Sequence, residues 1–404
     1  MGAIAVIVVL LVSGFSSDAS SQPAPCGAAT ASTYRAAGLG VAQRLAAGER
    51  GGTAVRRALH TIESDRVLAA AVAAGDATAV RAEMLVLLFN HQHIVRIRVL
   101  RAGRVLDDVG GPLVLAPVRG LLRSGGRVVG SFVMSIQDDM GYRLLLSRLA
   151  GVHSVIAYRG RAVMRDVALR PRRLAASGGG SVRAGSTRYL VASLRVGRFP
   201  RGSLRVFVLV DSPPASLARV SCAQVRADEL AAVARHAYDE ALGGPQISSA
   251  LAAIGRAASL RAALAAGDYV TAEKVVRRLV AAGGFARLRV FSRGHLVAEA
   301  GSSRPLLAPV SRPLIDDSGV LYGRAVFTAQ SAHGYADLVH ILTGAAVLVR
   351  SPQRQLAGTF AGPRSLPRSG RIAYAGVTYE IASFAAASFP SGPLRVYVLN
   401  PAAQ

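Results

Sequence analysis

The chain has 404 residues, half of them apolar, so it is globular rather than disordered and long enough for two ordinary domains. Its formal net charge is +25, almost all of it arginine, with Lys274 the only lysine and no tryptophan. The arginines are dispersed through strands, helices and loops with few aromatics among them, which does not favour nucleic acid as a partner. No apolar run reaches the roughly 20 residues that an integral membrane span needs.

In chain order, Ala3 to Val12 is a short apolar run followed by a Ser-rich stretch, which fits the h-region of a secretory signal. Residues 1–25 therefore read as a signal-like segment, lacking the basic n-region because no Lys or Arg precedes Arg35. The alternative is a buried N-terminal strand. Cys26 follows, just before the first helix, and Cys222 stands at a nearly equivalent later place. Two thiols in an exported chain often pair. Cys26 and Cys222 are thus a candidate disulfide, and the sequence leaves the pairing open. Lipidation of Cys26 is disfavoured by Pro25, and two isolated thiols are a poor metal site.

Ala28 to about Ala47 reads as a helix broken at Gly48-Glu49-Arg50-Gly51-Gly52. A second helix is expected from Thr53 to Ala74, with Val55, Leu59, Ile62, Val67 and Leu68 on one buried face. Gly75 stops it and Asp76 caps a third, which carries Val80, Met84 and Leu88. Strand signals then dominate. Residues 95–99 alternate with period two, Arg101-Ala102-Gly103-Arg104 reads as a hairpin turn, and Leu115-Ala116-Pro117-Val118 lies in a loop. A strand over 127–136, a short helix over about 140–149, a strand over 155–158 and a closing hairpin of 189–194 with 204–209 complete the pattern. Arg165, Arg170, Arg172 and Arg173 form the densest basic cluster and read as a loop.

The chain then repeats itself. Leu-Ala-Pro-Val returns at 307–310, Ala-Gly-Asp at 266–268 and Gly-Tyr at 334–335, and the ending from Phe199 to Leu209 returns from Phe389 to Leu399, all offset by 190 to 193 residues. Ordered self-similarity at one offset means a duplicated domain. The division is 1–25, a first domain over 26–210, a Pro-bearing linker over 211–221 and a second domain over 222–404. Helices first, then an antiparallel sheet with an inserted helix, is an α+β plan.

This order of elements, with the Pro-containing loop, the strand entered through Val129-Gly130 or Tyr322-Gly323 and the final hairpin, resembles the Cache family, the extracytoplasmic PAS-like sensor domains of bacterial chemoreceptors, histidine kinases and cyclases. The resemblance covers nearly all of residues 26–404. It implies two tandem PAS-like domains, a bacterial extracytoplasmic location and a small-molecule pocket between the sheet and the inserted helix. The chain departs from the family in showing no output module or second membrane segment. It also lacks the tryptophan of the amino-acid-binding pattern, so an amino-acid ligand is unsupported.

The strand-to-helix junction is the richest polar segment and supplies the candidate ligand-binding residues Ser135, Gln137, Asp139, Tyr142 and Arg143 in copy one, and Gln330, His333, Tyr335 and Asp337 in copy two. The competing reading is that Asp138 or Asp139 caps the helix and that both tyrosines are core. His91-Gln92-His93 has no nearby carboxylate and no counterpart in copy two, so no metal is expected. Adjacent carboxylates make poor acid–base dyads and no catalytic or phosphate-loop motif occurs, so neither an enzyme nor a cofactor is expected. The sequence points to an exported, non-catalytic, small-molecule-binding sensory protein for signal transduction. The alternative is an interaction module without ligand that docks to a membrane signalling protein or an anionic surface.

Overall fold

The computed structural model describes residues 24–91, 94–177, 179–316 and 318–402. Most of the signal-like segment, and His93 of the histidine pair, lie outside them. Each copy opens with a 22-residue helix, Thr30–Gly51 or Cys222–Gly243. The first continues through Gly48 and Gly51 and breaks at Gly52, the last residue of the stretch expected to end it. Glycine costs a helix only ~1 kcal/mol, and packing of Val41, Ala42 and Leu45 against the core outweighs that.

The expected second helix is two. Asp65 takes the amide of Leu68 at 2.8 Å and starts a new helix, Arg66–Ala74, after Thr53–Glu63. The break shifts the register, which is why Val67 is 63% exposed while Val55, Ile62 and Leu68 are buried. Copy two breaks likewise at Ala257, between Pro245–Arg256 and Ala258–Ala266. Gly75 and Gly267 end these helices in the left-handed conformation, and Asp76 and Asp268 cap the next, as the repeated Ala-Gly-Asp required.

The α+β plan holds in both copies, and the antiparallel strands of each are shared between two sheets. In copy one the first sheet uses Arg96–Arg101, Arg104–Gly110, Val118–Ser124 and Arg127–Ser135. The second uses His153–Tyr158, Arg161–Arg165, Ser181–Ala184, Thr187–Gly197 and Ser203–Asp211. Counting strands within each set, the second sheet is ordered second, first, fifth, fourth, third. The first sheet has the same winding, its third strand being the detached pair Val114–Leu115. Copy two repeats both sheets. The basic cluster expected as a loop is more ordered: Arg165 ends a strand, and Arg172 and Arg173 lie on the helix Pro171–Ala176.

The repeated Leu-Ala-Pro-Val motif is the seam between the two sheets. The Ser135 hydroxyl donates to the Leu115 carbonyl and the Ala116 amide donates to Gly197 of the second sheet at 2.9 Å. Thr328 donates to Leu307 at 2.5 Å and Ala308 to Ala387 at 3.1 Å in copy two. Ala116 and Ala308 sit at φ 51° and 55°, a turn that re-aims the chain from one sheet to the other.

The two copies pack on each other through their long helices, and the contacts are reciprocal. Arg44 of copy one covers Gly344 of copy two, while His236, its counterpart on the second long helix, covers Gly151, the counterpart of Gly344. Residue i touching j′ while i′ touches j is the signature of an isologous interface. Cys26, ahead of the first long helix, and Cys222, the first residue of the second, are disulfide-bonded where the helices begin, with Cα atoms 4.6 Å apart. The largest core cluster contains residues of both copies, including Val41, Leu45, Leu146, Leu230, Val233 and Val339. Among the described residues no helix is long and apolar enough to cross a membrane.

A Cβ on Gly151 would fall 2.2 Å from the His236 ring at a φ of +63°, so Gly151→Ala should lower unfolding free energy by about 1–3 kcal/mol, read from urea denaturation. Glu229 is buried at the same interface, bonded to Tyr34 of the other copy, and burial pushes its carboxyl up to about 8. The folded state then keeps a proton that the unfolded chain releases, so stability should fall as pH rises from about 4.5 to about 8. Urea midpoints at pH 5 and pH 8.5 should converge in Glu229→Gln; an unchanged difference would show that Glu229 does not set the slope.

Candidate functional site

The nine residues expected at the strand-to-helix junctions do not share one cavity. Tyr142 and Tyr335 are buried, and their hydroxyls donate to the carbonyls of Ala42 and Ala234 on the long helices at 2.8 and 2.6 Å. Ser135 is buried in the seam, and its hydroxyl also accepts from the Gln137 amide at 3.1 Å. Gln137 and Gln330 turn their side-chain amides back onto the carbonyls of Asp138 and Ser331. Asp138 and Ser331 cap the helices by accepting from Gly141 and Gly334. His333 and Asp337 are exposed.

Asp139 and Arg143 are the remaining pair. Asp139 is buried, which raises its carboxyl pKa, and its Oδ2 has no hydrogen-bond partner among the described residues. Arg143 donates to Asp166 at 2.6 Å, but its Nε is also without a partner among them. Asp166 in turn accepts from the Ser154 amide at 2.9 Å, so the cluster ties the helix to the second sheet. Copy two has buried Ala332 and Ala336 in these places.

A cavity of 580 Å³ lies elsewhere, on the face of copy one's first sheet turned away from the helices. Two cross-strand rows line it. One row reads Arg98, Val133, Arg119, with Asp108 beyond Arg98 outside the lining, and the next reads Val105, Leu100, Ser131, Leu121. The Phe199-Pro200-Arg201 turn of the second sheet's hairpin closes one side, bringing Arg201 to the rim. Asp108 is shared by Arg96, at 2.8 and 2.9 Å, and by Arg98, whose Nε donates at 2.9 Å. Their guanidinium groups hold the Asp108 carboxyl below its ordinary value against the opposing effect of burial. Both guanidinium groups also lie over the Phe199 ring, at 4.9 and 5.7 Å. One carboxylate thus serves two arginines, and Arg119 and Arg201 add positive charge at an apolar floor. Sequence reasoning missed this cavity, although the alternation Arg96-Ile97-Arg98-Val99 puts two cations on one face of the strand.

No family model matches the sequence, and no curated protein does. Among solved structures, the periplasmic domain of LuxQ from Vibrio cholerae is 14% identical, with 44% of this chain and 100% of that one covered and a TM-score of 0.32. An extracellular ligand-binding receptor from Desulfohalobium retbaense is 11% identical, with 55% and 47% covered and a TM-score of 0.25. Neither likeness is close enough to carry function, and the fold stands on the strand order of its sheets. That fold is PAS-like.

The two PAS-like copies differ at the cavity. Copy two keeps the arginine pair and its carboxylate, as Arg287, Arg289 and Glu299, and keeps the aromatic beneath them, as Phe389. Phe291 and Arg324 replace Leu100 and Ser131, and the Arg324 guanidinium lies over the Phe291 ring at 5.5 Å. Ser311 and Ser391 replace Arg119 and Arg201. Copy two therefore sets a bulky cation–aromatic pair where copy one has Leu100 and Ser131, and loses the charges of Arg119 and Arg201.

At the junction, Asp166→Ala should strand the part-buried Arg143 and cost about 3 kcal/mol. Asp337→Ala, on an exposed helix face, should change stability by less than about 0.5 kcal/mol. Chemical denaturation of the two variants checks both.

Proposed function

We propose that this chain is an exported, non-catalytic binding protein of sensory type, in which the first sheet of copy one holds a small organic anion and copy two is its structural counterpart. The observation that carries the reading is the pairing of an arginine-bearing row with an apolar row beside a 580 Å³ cavity. A carboxylate meets Arg98, Arg119 and Arg201, and the body of the ligand meets Leu100, Leu121 and Val105. The Cys26–Cys222 disulfide supports an extracytoplasmic location, because such bridges persist in oxidising compartments. The junction residues Tyr142 and Tyr335 are then supports that fix the inserted helices to the long ones.

Calorimetric titration of the full chain with benzoate, phenylacetate and succinate tests the reading. One carboxylate should bind per chain, and Arg119→Ala should weaken it at least ~10-fold, the loss of one charged hydrogen-bonding partner. The double change Leu100→Phe with Ser131→Arg should abolish binding with little loss of stability, because copy two already packs that pair. Binding that survives the double change would overturn the site. No binding of any carboxylate would favour the interaction module without ligand.

A further inference from the structure

A second arginine cluster of copy one lies on the second sheet, apart from this cavity. Arg195 stands directly opposite Arg205 in the ladder between the last two strands. Like charges facing each other across a ladder are destabilising. Arg159, in the turn after His153–Tyr158, and Arg172, on the helix Pro171–Ala176, join them around a concavity of 360 Å³ floored by Ala157 and Phe207. All four arginines are exposed, and among the described residues none takes part in an ion pair. The fold thus gathers four cations at one rim with no carboxylate among the lining residues.

Copy two shows that the sheet does not need this arrangement. Arg395 occupies the place of Arg205, but Ala385 faces it, and Arg395 donates to Ser383 at 3.2 Å. The helix that carries Arg172 has no counterpart there, since copy two passes from the strand Gln355–Gly358 to Gly370–Tyr374 without one.

We propose that this rim of copy one binds a phosphate-bearing anion. A phosphate group offers up to two charges and three acceptor oxygens, which suits guanidinium forks approaching from several sides. A single carboxylate would leave most of the four cations unpaired. The rim is open to solvent, so the phosphate is free to be part of a larger body, whether a soluble phosphate ester or a lipid headgroup.

The test uses the full chain and two probes, inorganic pyrophosphate in solution and phosphatidylcholine vesicles with or without phosphatidic acid. Pyrophosphate should bind with a dissociation constant that rises steeply with salt. Arg195→Ala with Arg205→Ala should weaken it at least ~10-fold, the loss expected for removing charged partners. The benzoate titration should be unchanged in that variant, which separates this rim from the first cavity. Without anion, Arg195→Ala should raise the melting temperature because it relieves the facing charges, a readout that loss of folding cannot imitate. Binding to phosphatidic acid vesicles alone, lost in the double variant, would support the proposal and name a headgroup as the source. Binding of either probe that the double variant leaves intact, or no binding of both, would overturn it.

Discussion

The two long helices, packed on each other and tied at their start by one disulfide, are the contact on which the rest of the molecule depends. They bury Val41, Ala42 and Leu45 of one copy against Val233, Ala234 and Ala237 of the other. Each also accepts the tyrosine that anchors its own inserted helix. The bridge closes 196 residues of chain, which in the chain-entropy account contributes about 5 kcal/mol by restricting the unfolded state. A single polypeptide thereby holds what a symmetric dimer would hold in two, including the reciprocal Arg44–Gly344 and His236–Gly151 contacts.

The two halves repeat the same sheet orders within one chain, and they need not be alike elsewhere. The parts that hold the fold are duplicated faithfully: the Ala-Gly-Asp stop and cap, the sheet-to-sheet seam, and the arginine pair over Phe199 or Phe389. Apart from Arg98, which lines the cavity and has its counterpart in Arg289, the parts that face a cavity or the solvent have diverged. Copy one has the open, charge-rimmed first sheet and the unneutralised arginines of its second. Copy two has Phe291, Arg324 and Ala385 in those places.

Much of the fold was legible because it is local. Period-two alternation, glycine stops and aspartate caps placed the strands around 95–99, 127–136, 155–158, 189–194 and 204–209 and the later helices within a few residues, but not the strands Val118–Ser124, Arg161–Arg165 and Ser181–Ala184. The division of each copy's strands into two sheets was not legible, because sheet membership is decided by long-range pairing such as that of Arg96 with Ser135. The site was harder still. Polar density drew attention to the junction around Asp139, where the side chains serve capping, the seam and the core. The cavity is built by residues far apart in sequence, Arg98, Arg119 and Arg201, none of which carries a motif. What the sequence did contain was the difference between the copies, Leu100 and Ser131 against Phe291 and Arg324, which acquires meaning only when their facing positions are known.

Native-state amide hydrogen exchange on the oxidised full chain tests the shared helical core most directly. If the two long helices are one structural unit, the buried amides of Thr30–Gly51 and Cys222–Gly243 should be the slowest in the protein and should open together with the same free energy. Opening of one long helix while the other stays protected would contradict the account, since neither would then depend on the contact between them.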